Sequence, residues 1–296
     1  MANPRGDSAG LAILAAAGVG VQVGAATVAS RFALLETDPF ALAAMRYAVG
    51  VLFLAPFVLR GPRIAFDARD VLPVAGLGIV QFGVLSALLN FGLLVIPAGR
   101  AAVVFATFPL LTMLFGAALG REALTLRKSI GVLLTIAGVG CALAEKALAS
   151  STSNETWIGE FVVLLAAACG AICSVLYRPY LQRYPAGQVS AFAMLASVAF
   201  LTPFAATQGL FDAWPTFSAA TWGAIVFVGL SSGIAYFGLL WALSKTTPTR
   251  VTVFQALAPF TAAALGFAFL GESLSVSFMA GLCLVAAGLW VALGGR

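Results

Sequence analysis

Ser86, Asn90, Ser232 and Tyr236 stand in otherwise apolar runs, at spacings that could do chemistry. In residues 79–95, "IVQFGVLSALLNFGLLV", Phe82, Ser86 and Asn90 recur every fourth residue; in 227–243, "FVGLSSGIAYFGLLWAL", Ser232 and Tyr236 do the same. Four residues is one helical turn, so each set shares a face. A shift of 150 residues lays Phe82 on Ser232 and Ser86 on Tyr236. Hydroxyls and amides with no base beside them hold a molecule rather than transform it. A second pair lies in "VVFATFPLLTMLFGAALGREAL" at 103–124 and "VFQALAPFTAAALGFAFLGESL" at 253–274. A proline inside a helix frees the carbonyl four residues back. Pro109 would free that of Phe105 and Pro259 that of Gln255, leaving acceptors suited to an ammonium group. The same prolines are candidate gates. Phe108, Phe237, Trp241 and Phe254 could wall such a site.

Other patterns carry less. The stretch "GLSSG" at 229–233 fits a nucleophile elbow, but that needs a strand–turn–helix setting and an activating base, and the chain has no histidine. Gly229 and Gly233 read better as a helix-packing face. Cys169 and Cys173 share a helix face without further ligands, so no metal is expected. The glycines at 18, 20 and 24 miss the dinucleotide spacing. The chain is therefore expected to be no enzyme and to use no cofactor. Arg46 lies about 9 Å into its apolar run at 1.5 Å per residue. It is expected to reach outward to the interface, with holding a substrate carboxylate as the alternative.

The elements that must position these residues follow from composition. The chain is 61% hydrophobic and 9% charged, with mean hydropathy +1.04. No water-soluble fold hides that much apolar surface, so the expected class is an all-α integral membrane protein. Ten spans are read near Gly10–Ala33, Phe40–Leu59, Val71–Leu94, Ala98–Leu119, Lys128–Leu148, Trp157–Tyr180, Gly187–Thr207, Ala219–Leu243, Pro248–Leu270 and Ser275–Gly294. With both termini inside, twelve Lys and Arg fall on the inner side and three on the outer side, which sets the orientation. The net charge of +5 then reflects topology, and no nucleic-acid partner is expected.

Sliding residues 91–143 onto 241–293 matches Arg100 with Arg250, Pro109 with Pro259, Gly116 with Gly266 and Glu122 with Glu272. An offset of 147 pairs Thr27 with Ser174 and Arg31 with Arg178. Residues 1–150 and 151–296 are thus read as two five-helix repeats. Five is odd, so the second must be inverted relative to the first. Glu122 and Glu272 are expected to order their links or the next helix N-terminus. Glu160, at the outer start of the sixth span, is expected to have water access. Without a carboxylate deep in a span, transport driven by the substrate's own gradient is expected.

Two halves that each end in a proline-bearing helix, a "GREAL" or "GESL" link and a glycine-rich helix resemble the drug/metabolite transporter superfamily, in its ten-helix type with paired EamA-like repeats. Within it the sequence is most similar to bacterial amino-acid exporters, including the aromatic amino-acid exporter. The resemblance implies export of small organic molecules, most simply amino acids, across a bacterial inner membrane, with multidrug or organic-cation export as the alternative. The expected partners are a small-molecule substrate and membrane lipid, and a monomer would suffice.

Overall fold

A computed structural model of the chain describes residues 4–61, 64–121, 125–148, 154–212, 216–245, 257–272 and 275–293. Every regular element among them is helical. In chain order these are α1 (Pro4–Ala33), α2 (Pro39–Arg60), α3 (Ala68–Gly78), a π-helical turn (Ile79–Val84), α4 (Leu85–Val95), α5 (Ala98–Phe105), α6 (Phe108–Ala118) and α7 (Leu126–Leu148). There follow α8 (Asn154–Leu176), α9 (Arg178–Leu181), α10 (Ala186–Thr207), α11 (Ala219–Lys245), α12 (Leu257–Leu270) and α13 (Val276–Leu293).

Six helical rods among the described residues are long and apolar enough to cross a bilayer: Pro39–Arg60, Ala68–Val95, Ala98–Ala118, Trp157–Leu176, Ala186–Thr207 and Ala219–Ala242. Shorter apolar helices lie at Ser129–Leu143, Leu257–Leu270 and Val276–Gly288. Their ends follow local rules. The Asp67 carboxylate accepts from the Arg69 amide at 3.2 Å and starts α3. Gly120 and Gly271 take φ of +67° and +64°, a conformation natural to glycine, and turn the chain after α6 and α12. The carbonyls of Gly116 and Gly266 then accept from the Arg121 and Glu272 amides at 2.8 and 3.1 Å.

Packing crosses the middle of the chain. The first helix, α1, lies on α11 and α12, whereas α8 lies on α4, α5 and α6. In the same way α2 packs on α11, and α10 on α3 and the π turn; α2 meets α10, and α7 meets α13. In lipid no hydrophobic gain favours one apolar contact over another, so close backbone approach decides. A Cβ added to Gly138 or Gly281 would sit 2.5–2.8 Å from the facing helix, which is why α7 and α13 pack so closely. Large apolar side chains such as Leu133 and Trp290 then remain exposed on the outside of that pair, as a lipid-facing surface requires.

One expectation about the elements is corrected. The rod Ala98–Ala118 is not a continuous helix kinked at Pro109. It stops at Phe105, turns through Ala106 and Thr107, and restarts at Phe108, with Pro109 in the first turn of α6. A proline is compatible with that place because the first-turn amides have no helical acceptor. Pro259 lies in the first described turn of α12, and the chain before Leu257 is outside the described residues.

Candidate functional site

Gly229 and Gly233 let α11 close on α2: a Cβ on Gly229 would meet Val49 at 2.5 Å, and one on Gly233 would meet Phe53 at 3.1 Å. That contact delivers Ser232 to Arg46. The Arg46 Nε donates to the Ser232 Oγ at 2.5 Å, and Ser232 donates to the Val228 carbonyl at 2.6 Å. Arg46 is only 7% exposed. The expectation that it reaches outward to the interface is therefore corrected: the guanidinium turns into the bundle, 5.4 Å from the centre of the Tyr47 ring.

Around it is a cavity of about 30 Å³, walled by Val19, Val23, Ala26 and Thr27 of α1, Arg46, and Gln81 of the π turn. Leu85, Ser86, Leu89, Phe105, Phe108, Ala235, Tyr236 and Leu239 complete the wall. At about 10–15 Å³ per water, it has room for two or three waters and none for an amino acid. The Tyr47 hydroxyl shares a hydrogen bond with Ser86 at 2.5 Å. Tyr47, Phe82 and Tyr236 form one aromatic cluster, with Phe82 edge-on to Tyr236 at 4.7 Å between centroids. Phe105 stacks on Phe108 at 5.5 Å beside the break between α5 and α6.

Of the residues singled out from the sequence, Ser86, Phe105 and Tyr236 thus meet on one wall, and Ser232 stands behind it as the partner of Arg46. Asn90 lies off the wall: it is fully buried and its Nδ2 donates to the Pro39 carbonyl at 2.9 Å, tying α4 to the start of α2. Phe237 is 42% exposed and faces outward, while Trp241 packs beside the aromatic core. Gln255 and Phe254 lie outside the described residues. Sequence reasoning missed Gln81, Thr27 and Tyr47. A lone amide in the apolar run "GLGIVQFGVL" was the available signal, because polar groups in spans face the bundle interior.

Among the described residues the wall contains one charge, the Arg46 guanidinium, and no carboxylate. Among the described residues Arg46 has no acidic partner. A second, larger cleft of about 350 Å³ between α1, α11 and α12 is lined by apolar residues alone, with Phe227 and Phe269 exposed. It offers nothing with which to read a polar substrate.

Acids elsewhere are engaged differently. Glu272 accepts from the Ala98 and Gly99 amides at 2.7 and 3.0 Å and pairs with the Arg31 Nε at 3.3 Å. It caps α5, a helix far from its own link, where a carboxylate suits the positive helix end. Glu122 lies outside the described residues. Glu160 is 5% exposed, which corrects the expectation of water access, and the expectation of gradient-driven transport loses that support.

Comparison with known proteins adds the following. The EamA-like transporter family model matches twice, over residues 10–144 and 157–294. An uncharacterized transporter of Archaeoglobus fulgidus is 27% identical, over 90% of this chain and 93% of its own. A probable amino-acid metabolite efflux pump of Salmonella typhimurium is 27% identical, over 82% of this chain and 87% of its own. A probable terminal-alkyne amino-acid exporter of Streptantibioticus cattleyicolor is 28% identical, over 73% and 70% respectively. A solved crystal structure superposes with a TM-score of 0.70 at 23% identity, covering 95% of this chain and 99% of that one, and so has the same fold.

Proposed function

The chain belongs to the EamA-like transporter family of the drug/metabolite transporter superfamily, and on that premise we propose that it exports amino acids from the cytoplasm across a bacterial inner membrane. The observation that carries this is Arg46. A buried guanidinium with no carboxylate beside it is costly, by several kcal/mol even after relaxation and water penetration. Such a group is expected to persist where a ligand supplies the missing charge. A substrate carboxylate does so, with two parallel hydrogen bonds available from the guanidinium fork. An organic cation would be repelled by the same group. The aromatic wall of Phe105, Phe108 and Tyr236 suits an apolar or aromatic side chain.

Architecture supports the mechanism. Two family matches in tandem, and packing partners that exchange between the halves, fit ten spans in two inverted five-helix repeats; the twelve-to-three split of Lys and Arg favours both termini in the cytoplasm. In that arrangement a central site opens to one face and then the other as the halves rock. A cavity too small for its substrate fits an occluded stage of such a cycle.

The test is flux. Purified protein in proteoliposomes is offered a panel of amino acids and organic cations. Amino-acid flux is expected, and Arg46→Gln should lower it more than about tenfold, the loss of a charge-assisted hydrogen bond. Cation flux without amino-acid flux, or full activity in Arg46→Gln, would overturn the reading.

A further inference from the structure

Gln81 is 3% exposed, lies on the wall of the Arg46 cavity, and its Oε1 has no hydrogen-bond partner. A buried amide oxygen without a partner is an expensive feature and needs a reason. Arg46, on the same wall, directs its Nε to Ser232 instead. The backbone there is unusual too. Gln81 sits in the π turn Ile79–Val84, closed by the Leu85 amide donating to the Val80 carbonyl. In a regular helix residues five apart point about 140° away from each other. A π turn, with hydrogen bonds spanning five residues, brings them closer to one face, and such turns recur at functional sites. Here it lets Gln81 and Ser86 share a wall.

We infer that Gln81 is the second pole of the site: its Oε1 accepts from the substrate's α-ammonium while Arg46 holds the carboxylate. The assignment rests on the amino-acid reading above and names how that class is told from plain carboxylates. Chemistry favours an amide over an acid here. A Glu or Asp beside Arg46 would form an internal ion pair and neutralise the guanidinium. A neutral acceptor reads an ammonium and leaves Arg46 free for the carboxylate. Any substrate lacking the ammonium would leave the Gln81 oxygen unpaired, which is how a buried polar group discriminates.

Binding to the purified protein decides the matter, using phenylalanine against 3-phenylpropionate and leucine against 4-methylpentanoate, pairs that differ only in the ammonium. The wild type should favour the amino acid of each pair. Gln81→Met keeps the length of the side chain and removes the acceptor. It should cut that preference about 10- to 100-fold, the range for a hydrogen bond to a charged group, with carboxylate affinity held within about twofold. Should Gln81→Met fail to fold, Gln81→Asn withdraws the oxygen by one methylene and should give the same collapse. An unchanged preference in a folded variant overturns the role of Gln81 while leaving the carboxylate reading standing. Equal loss of both ligands in a folded variant overturns it as well, since it marks a structural role. Absence of amino-acid binding and flux in the wild type overturns both readings together.

Discussion

Arg46 and Ser232 stand 186 residues apart in sequence, and the hydrogen bond between them holds a cation in place with its remaining N–H groups available. Ser232→Ala removes that acceptor and lets the guanidinium swing. The fold should tolerate it, because the Ser232 hydroxyl otherwise bonds only to its own helix. Substrate affinity should fall about tenfold with protein levels unchanged, and a rise in KM without a matching fall in kcat would check it. At this scale the sequence was partly readable. Equal positions in two similar runs pointed to Ser86 and Tyr236, and both reach one cavity. The same face did not carry Asn90 to the wall, because it stands one turn further along α4, where its amide meets the start of α2 and bonds the Pro39 carbonyl. Arg46 misled for a different reason. Depth along a span says how far a side chain must travel to water, but not which neighbour waits on its inner side.

Between residue and molecule, the break at Ala106–Thr107 is the element that most shapes the cavity. It places Phe105 and Phe108 at the wall from two short helices rather than one. Proline in the sequence announced an interruption, yet not its form. A kink and a restart begin from the same residue, and tertiary packing chooses. Pro109→Ala supplies an amide that the Phe105 carbonyl could take, so α5 and α6 could fuse. Since proline is at ease in a first turn, thermal stability should change by less than about 1 kcal/mol. Turnover should drop severalfold if the two short helices move separately during transport, as hinges that absorb backbone rotation do. Melting temperature and flux measured side by side make the check, and unchanged flux would reduce Pro109 to a packing feature.

For the whole molecule, offsets of 147 and 150 residues exposed two similar halves, but not that α1 and α8 would each leave their own half to pack on the other. Contact choice in lipid depends on small-residue faces and not on overall hydropathy, so composition could not reveal it. The exchange makes one polar cluster important. Arg31 of α1 pairs with Glu272 beyond α12, donates to the carbonyls of Leu93 and Ile96, and Glu272 caps α5. Four helices, α1, α4, α5 and α12, are thereby tied at one end of the bundle, which the proposed orientation turns outward. With the central cavity closed to anything larger than a few waters, this cluster is placed to hold the outer side shut. Glu272→Gln keeps the shape and one acceptor but removes the charge, weakening the ion pair and the cap together. At 12% side-chain exposure Glu272 is poorly screened, so the loss should be felt. The protein should shift toward an outward-open state. A single cysteine introduced at Ala26, buried on the cavity wall, should then react with an impermeant thiol reagent from outside severalfold faster in Glu272→Gln than with Glu272 intact, in a background lacking the native cysteines. Equal labelling rates in both would show that the cluster only fastens loops, and that closure of the outer side is held elsewhere.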